Sequence, residues 1–241
     1  MPAHQLVPVL AALVALLVVA HHGMWRVCRT VVTIAHEGGH ALVAVLTGRR
    51  LSGIRLHSDT SGVTVSVGPP TGPGMVLTAL AGYVTPSLLG VLAAALLAAG
   101  WTGPLLWLAV LLLLATLVYV RNWFGGLAVL VTGGLVGGVA WYGSVHVQQA
   151  FCAAVAWFLL FGGLRSVHEL GQGRRRQARR REYPLDSDAD QLARLTGVPP
   201  ALWVGLFTVV ALGALVVGGW WLVGEPVRQL AAAAGVPLPV G

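Results

Sequence analysis

Long apolar runs separated by short polar breaks leave this chain few folds to choose from. Residues 6–20, 27–47, 75–99, 104–120, 127–141, 149–164 and 201–223 are apolar stretches, most of them near the length a helix needs to cross a bilayer. Only 10% of the 241 residues are charged, against about a quarter in soluble domains. The expected fold class is an all-α polytopic membrane protein with about seven transmembrane helices, because a lipid-embedded backbone must satisfy its own hydrogen bonds. Residues 1–223 form a single membrane domain in this reading, and the Pro- and Ala-rich stretch 224–241 a flexible tail. The first run lacks a basic n-region and reads as an anchor, not a cleaved signal.

One stretch breaks the helical period. Ile54 and Leu56, then Val63, Val65 and Val67, alternate with polar residues around a Ser58-Asp59-Thr60-Ser61-Gly62 turn. That pattern predicts a small β-hairpin at about 51–68, too short and too lone to cross the bilayer as a barrel. It lies at the surface or dips into a cavity.

The second run carries His36-Glu37-Gly38-Gly39-His40. On a helix, residues four apart share a face, so both imidazoles can aim at one metal ion. Glu37 projects about 100° from His36, near enough to reach a water at that ion. Two imidazoles, a carboxylate and an open position are the parts of a hydrolytic zinc site. Ionisable residues inside a membrane segment are costly and point to function.

The net charge of +7 comes from arginine alone. Arg174, Arg175, Arg176, Arg179, Arg180 and Arg181 cluster in the polar segment 165–200, followed by Asp186, Asp188 and Asp190. Such a cluster is a topology signal before it is a nucleic-acid surface. Placing it in the cytoplasm puts the N-terminus and the loops 48–75, 121–126 and 165–200 inside a multi-pass protein of the cell (plasma) membrane. Arg26, Arg29 and Arg228 then fall outside. Cys28 and Cys152 lie in apolar runs without CxxC spacing and read as buried thiols.

An HExxH in an apolar helix, a small hairpin, and then Ala81-Gly82-Tyr83 in the next run resemble the site-2 protease (M50) family of intramembrane zinc metalloproteases. The M50B-like branch is the nearer likeness. Arg121-Asn122-x-Phe124-Gly125 and Ser187-Asp188-Ala189…Leu192…Leu195-Thr196-Gly197-x-Pro199…Trp203 also resemble that branch. The resemblance spans roughly residues 25 to 210. It implies Zn²⁺ as cofactor, His36 and His40 as ligands and Glu37 as the base. The family's usual third ligand is an Asp in an Asn-Pro…Leu-Asp-Gly motif on a later helix. The counterpart here, 122–126, keeps Asn and Gly but has no Asp. Asp188 is the first candidate for the third ligand, with Asp186 and His168 after it. A solvated loop balancing the arginines is the alternative for all three.

In this reading the substrate is a transmembrane segment, locally unwound, which the hairpin can hold as an added strand. Asn122 is the candidate donor to the oxyanion. Partners are thus a membrane protein substrate and the lipid bilayer, with no nucleic acid. Two other readings stand beside it. One is a metal-binding scaffold without activity, a pseudo-protease. The other is a transporter, which the purely apolar character of the remaining spans and the lack of a repeat disfavour.

Overall fold

A computed structural model describes residues 3–180 and 186–233. In chain order the elements are α1 (Ala3–Ala20), α2 (His22–Leu46), β1 (Arg50–Leu56), β2 (Gly62–Val67), α3 (Pro73–Ala98), α4 (Thr102–Tyr119), α5 (Trp123–Tyr142), α6 (Val145–Arg180), α7 (Asp188–Thr196) and α8 (Pro200–Ala233). The protein is mostly helical with one two-stranded antiparallel hairpin, as the apolar runs and the alternating stretch predict.

Among the described residues the candidate spans are fewer than seven. Five of their helices are long and apolar enough to cross a membrane: α3, α4, α5, α6 and α8. The first two apolar runs form a bent pair, α1 and α2, which meet at 104° and add at most one more span. At the bend Arg165, on α6, donates from its guanidinium to the Val19 carbonyl at the carboxyl end of α1. Its guanidinium carbon also lies 4.8 Å over the Trp25 ring of α2. The polar residues His21 and His22 make the break tolerable, because His21 accepts the Met24 N–H at 3.3 Å and caps α2.

This bend changes the sidedness of the first segment. The Trp157 indole donates to the Pro8 carbonyl at 3.0 Å, and Arg165 holds Val19. From Pro8 to Val19, α1 therefore runs in the same direction as α6, toward the Arg-rich end. The start of α1 lies opposite that end, not beside it as seven spans require. Arg26 and Arg29 move the other way. Arg29 Nη1 sits 3.6 Å from Glu169 Oε2 of α6, so these two arginines join the basic end instead of standing as exceptions.

Two boundaries also differ from expectation. The segment 165–200 is not one loop, since α6 continues through it to Arg180. The helix α8 continues to Ala233, well into the stretch expected as a tail, because Gln229 to Ala233 are good helix formers. Residues 234–241, and Arg181 of the basic cluster, lie outside the described residues.

Helix packing centres on α3 and α6. Ala93, Ala94, Ala153, Ala156, Trp157 and Leu160 form one core with Ala11 and Ala15 of α1. Small residues let these backbones approach closely, which is how helices associate where lipid removes the hydrophobic drive. The hairpin packs on the other side of α2. Ile54 and Leu56 are buried against Ile34 and Ala41 of α2 and Val129 of α5. Arg121 N–H donates to the Ile54 carbonyl at 2.9 Å, and Ile54 bridges Val120 in parallel, so β1 has a neighbour on both sides. Among the described residues the outer edge of β2 has none.

Candidate metal centre

The α2 helix delivers two imidazoles to one point. His36 Nε2 and His40 Nε2 are 3.1 Å apart, with their rings edge to face. His40 Nδ1 lies 2.7 Å from the Thr78 carbonyl of α3. A carbonyl only accepts, so Nδ1 carries the proton and Nε2 presents a lone pair. An outer contact of this kind fixes both ring and tautomer of a metal-binding histidine.

The third group comes from α7. Asp188 Oδ2 is 3.3 Å from His36 Nε2 and 3.2 Å from His40 Nε2. Asp188 is the first residue of α7, where the helix dipole favours a carboxylate. The helix is short but firmly set. Ser187 N–H and Oγ donate to Asp190 Oδ2 at 3.3 and 2.6 Å, a capping box, and Arg174 of α6 pairs with the other Asp190 oxygen. Ala189 and Leu192 are fully buried against Ala79, Val167, Leu170 and Phe207.

These atoms fit a cation. Asp188 Oδ2 is buried and makes no hydrogen bond. With the His40 ring neutral and protonated at Nδ1, a lone pair on Nε2 faces a carboxylate oxygen, an arrangement that a cation resolves. Zinc held tetrahedrally at about 2.0–2.1 Å sets its ligand atoms about 3.3–3.4 Å apart, and the three separations here are 3.1, 3.2 and 3.3 Å. Among the described residues, His36, His40 and Asp188 are the group that converges in this way. Gly82 of α3 makes the room. A Cβ there would stand 2.4 Å from His40 Nε2 and 2.6 Å from His36 Nε2.

Glu37 is buried beside this group, at 3% exposure, under the hairpin. Thr64 Oγ1 of β2 donates to Glu37 Oε2 at 2.7 Å. Gly62 passes so close that a Cβ would lie 2.5 Å from Glu37 Oε1. The hairpin thus positions the carboxylate. Its faces are reversed from those of a soluble sheet: Val63, Val65 and Val67 point outward, while Thr64 and Ser66 face the protein.

The other candidates lie elsewhere. Asn122 Oδ1 accepts the Leu56 N–H at 3.1 Å and its Nδ2 donates to the Leu56 carbonyl at 2.6 Å. Its amide therefore splices the start of α5 to the end of β1. Asp186 is exposed and pairs with Arg194, and His168 is exposed and accepts from Gln172 at 2.7 Å. Neither joins the group at His36. Sequence reasoning missed Thr64, Thr78 and the clearance at Gly82. Thr64 was within reach of it, since a period of two puts Thr64 opposite Val63 and Val65.

A cavity of about 1110 Å³ opens at the Arg-rich end. Tyr83 lines it, with its ring edge to face against His36 at 4.7 Å, and so does Ser187, the neighbour of Asp188. The cavity therefore borders the group formed by His36, His40 and Asp188.

No curated protein matches the chain, and no solved structure does. The family model described as Peptidase M50B-like matches residues 9–218. That match covers most of the bent pair, the hairpin and His36, His40 and Asp188, and the chain belongs to this family.

Proposed function

We propose that the protein is an intramembrane zinc metalloprotease that hydrolyses peptide bonds of membrane-embedded substrates. The observation that carries this reading is the triangle of His36 Nε2, His40 Nε2 and Asp188 Oδ2 with a buried carboxylate, Glu37, at its side. His36, His40 and Asp188 would hold the metal. When bound, zinc supplies a Lewis acid that acidifies water and polarises a carbonyl.

Glu37 takes the proton of the attacking water and passes it to the leaving amine. Thr64 keeps its carboxylate aimed through the 2.7 Å bond. The open edge of β2 supports a substrate bound as an added strand, extended so that its peptide bond leaves the shelter of a helix. The positive-inside rule puts the Arg-rich end, and with it the cavity, in the cytoplasm.

The test uses purified protein in lipid nanodiscs with a panel of single-span peptides, read by mass spectrometry of the products. Cleavage by wild type, lost in Glu37→Gln and in His40→Ala, is the expected result. Equal products from Glu37→Gln, or the absence of zinc from wild type resupplied with zinc, would overturn the reading and leave a scaffold without activity.

A further inference from the structure

Among the described residues, four arginines line the cavity at the Arg-rich end, Arg26, Arg29, Arg165 and Arg176, against three carboxylates, Asp59, Glu169 and Asp186. Among the acids that line it, Glu169 accepts from the Trp25 indole at 2.8 Å and from Arg165 Nε at 3.0 Å, and faces Arg29 at 3.6 Å. Asp186 is taken by Arg194, and Asp59 by the Ser61 N–H and hydroxyl at 2.9 and 2.7 Å. Two further guanidinium groups line the same space. Arg26 has no carboxylate partner among the described residues, and Arg176 reaches only the Gln172 amide oxygen, at 3.4 Å. They come from α2 and α6.

We propose that this cavity is a charge-selective subsite that takes acidic side chains flanking the substrate's membrane segment, with Arg26 and Arg176 as the selecting residues. The inference rests on the proteolytic reading for the nature of its occupant. A peptide, not a lipid headgroup, is the occupant favoured, because the cavity borders the His36 group: Tyr83 lines it and stands edge to face against His36, and Ser187 lines it next to Asp188. In this proposal a segment whose peptide bond lies at His36 continues past Tyr83 into this space. Its first residues outside the membrane then pass two guanidinium groups without a carboxylate partner among the described residues, and like charge there would be repelled.

The experiment measures binding apart from cleavage. Glu37→Gln protein in phosphatidylcholine nanodiscs is titrated with three fluorescein-labelled single-span peptides that differ only in a flanking triplet: Glu-Asp-Glu, Gln-Gln-Gln or Lys-Lys-Lys. The acidic peptide is expected to bind about five- to tenfold more tightly than the neutral one, the gain of two partly exposed charge pairs. The gap should close in Arg26→Gln/Arg176→Gln and invert in Arg26→Glu/Arg176→Glu, both of which keep wild-type circular dichroism and zinc content. Equal affinities for the three peptides, or a preference that survives both double variants, would overturn the proposal. So would competition by phosphatidylglycerol without any discrimination among peptides, which would make the cavity a headgroup site. Charge-selective binding without cleavage by the wild type would instead count against the proteolytic reading and leave the selective cavity standing.

Discussion

The Asp188 carboxylate stands 3.2 Å from His40 Nε2, although four helices intervene between them in the chain. Neither group is a natural neighbour of the other unless a cation joins them. Purified without chelators, the wild type should hold about one zinc per chain. His40→Ala and Asp188→Ala should each release it, with affinity falling by more than the about 10- to 100-fold typical of losing an outer hydrogen-bonding partner. Metal analysis by mass spectrometry on the three proteins decides the matter. Retention of zinc by Asp188→Ala would move the third ligand elsewhere.

Gly82→Ala separates folding from metal binding. Alanine is the better helix former by about 1 kcal/mol, so α3 itself should not suffer. The added methyl, however, would sit 2.4 Å from His40 Nε2 and 2.6 Å from His36 Nε2, closer than any real contact. The imidazoles must swing away. Helical content is expected to stay at the wild-type value while zinc binding and cleavage are lost. A variant that keeps both metal and activity would show that the imidazoles have room to retreat, against the packing described here.

Much of this site is legible in the residues themselves. The four-residue spacing of His36 and His40 works in any helix, and Asp188 stands just ahead of an amphipathic turn that Gly197 ends. The hairpin follows from alternation alone. The bend at His21 does not, because both of its arms are apolar and local pattern carries no record of a 104° turn fixed by a side chain, Arg165, from another helix. The placement of Arg29 beside Glu169 is equally a tertiary fact. Asn122 shows the reverse error. Its chemistry suits an oxyanion donor, but a strand end nearby offered its amide two backbone partners.

The hydroxyl of Thr64 holds the Glu37 carboxylate, and in the proposed reaction it would act through that residue alone. Thr64→Val keeps the shape and removes the donor to Glu37 Oε2. Hydrogen bonds to charged groups contribute about 1.5–3 kcal/mol, so cleavage should slow by about ten- to a hundredfold. Zinc content should not change, and Thr64→Ser should restore most of the rate. A loss of zinc in the valine variant would mean that the hairpin holds the site as a whole and not Glu37 in particular.

Asp190 links the site to pH through α7. Burial pushes its carboxyl up, but the bonds from Arg174 and Ser187 outweigh this and hold it below the usual value. A group whose value is lowered by folding stabilises the fold above its unfolded value of about 3.9, and that contribution is lost as pH falls through the lower, folded value. Asp190→Ala removes a capping partner worth about 1 kcal/mol, a fall of about 2–4 °C in melting temperature for a chain of this size. The deficit should be complete at pH 7 and should shrink toward zero as pH drops below about 4, where wild type itself loses the interaction. Because Asp188 stands two residues away on the same capped turn, the variant should also bind zinc more weakly at pH 7. Thermal melts of both proteins from pH 7 to pH 3, with zinc titrations at pH 7, test the two halves. A deficit that stays constant across that range would assign the effect of Asp190 to packing and remove the charge of Arg174 from the account.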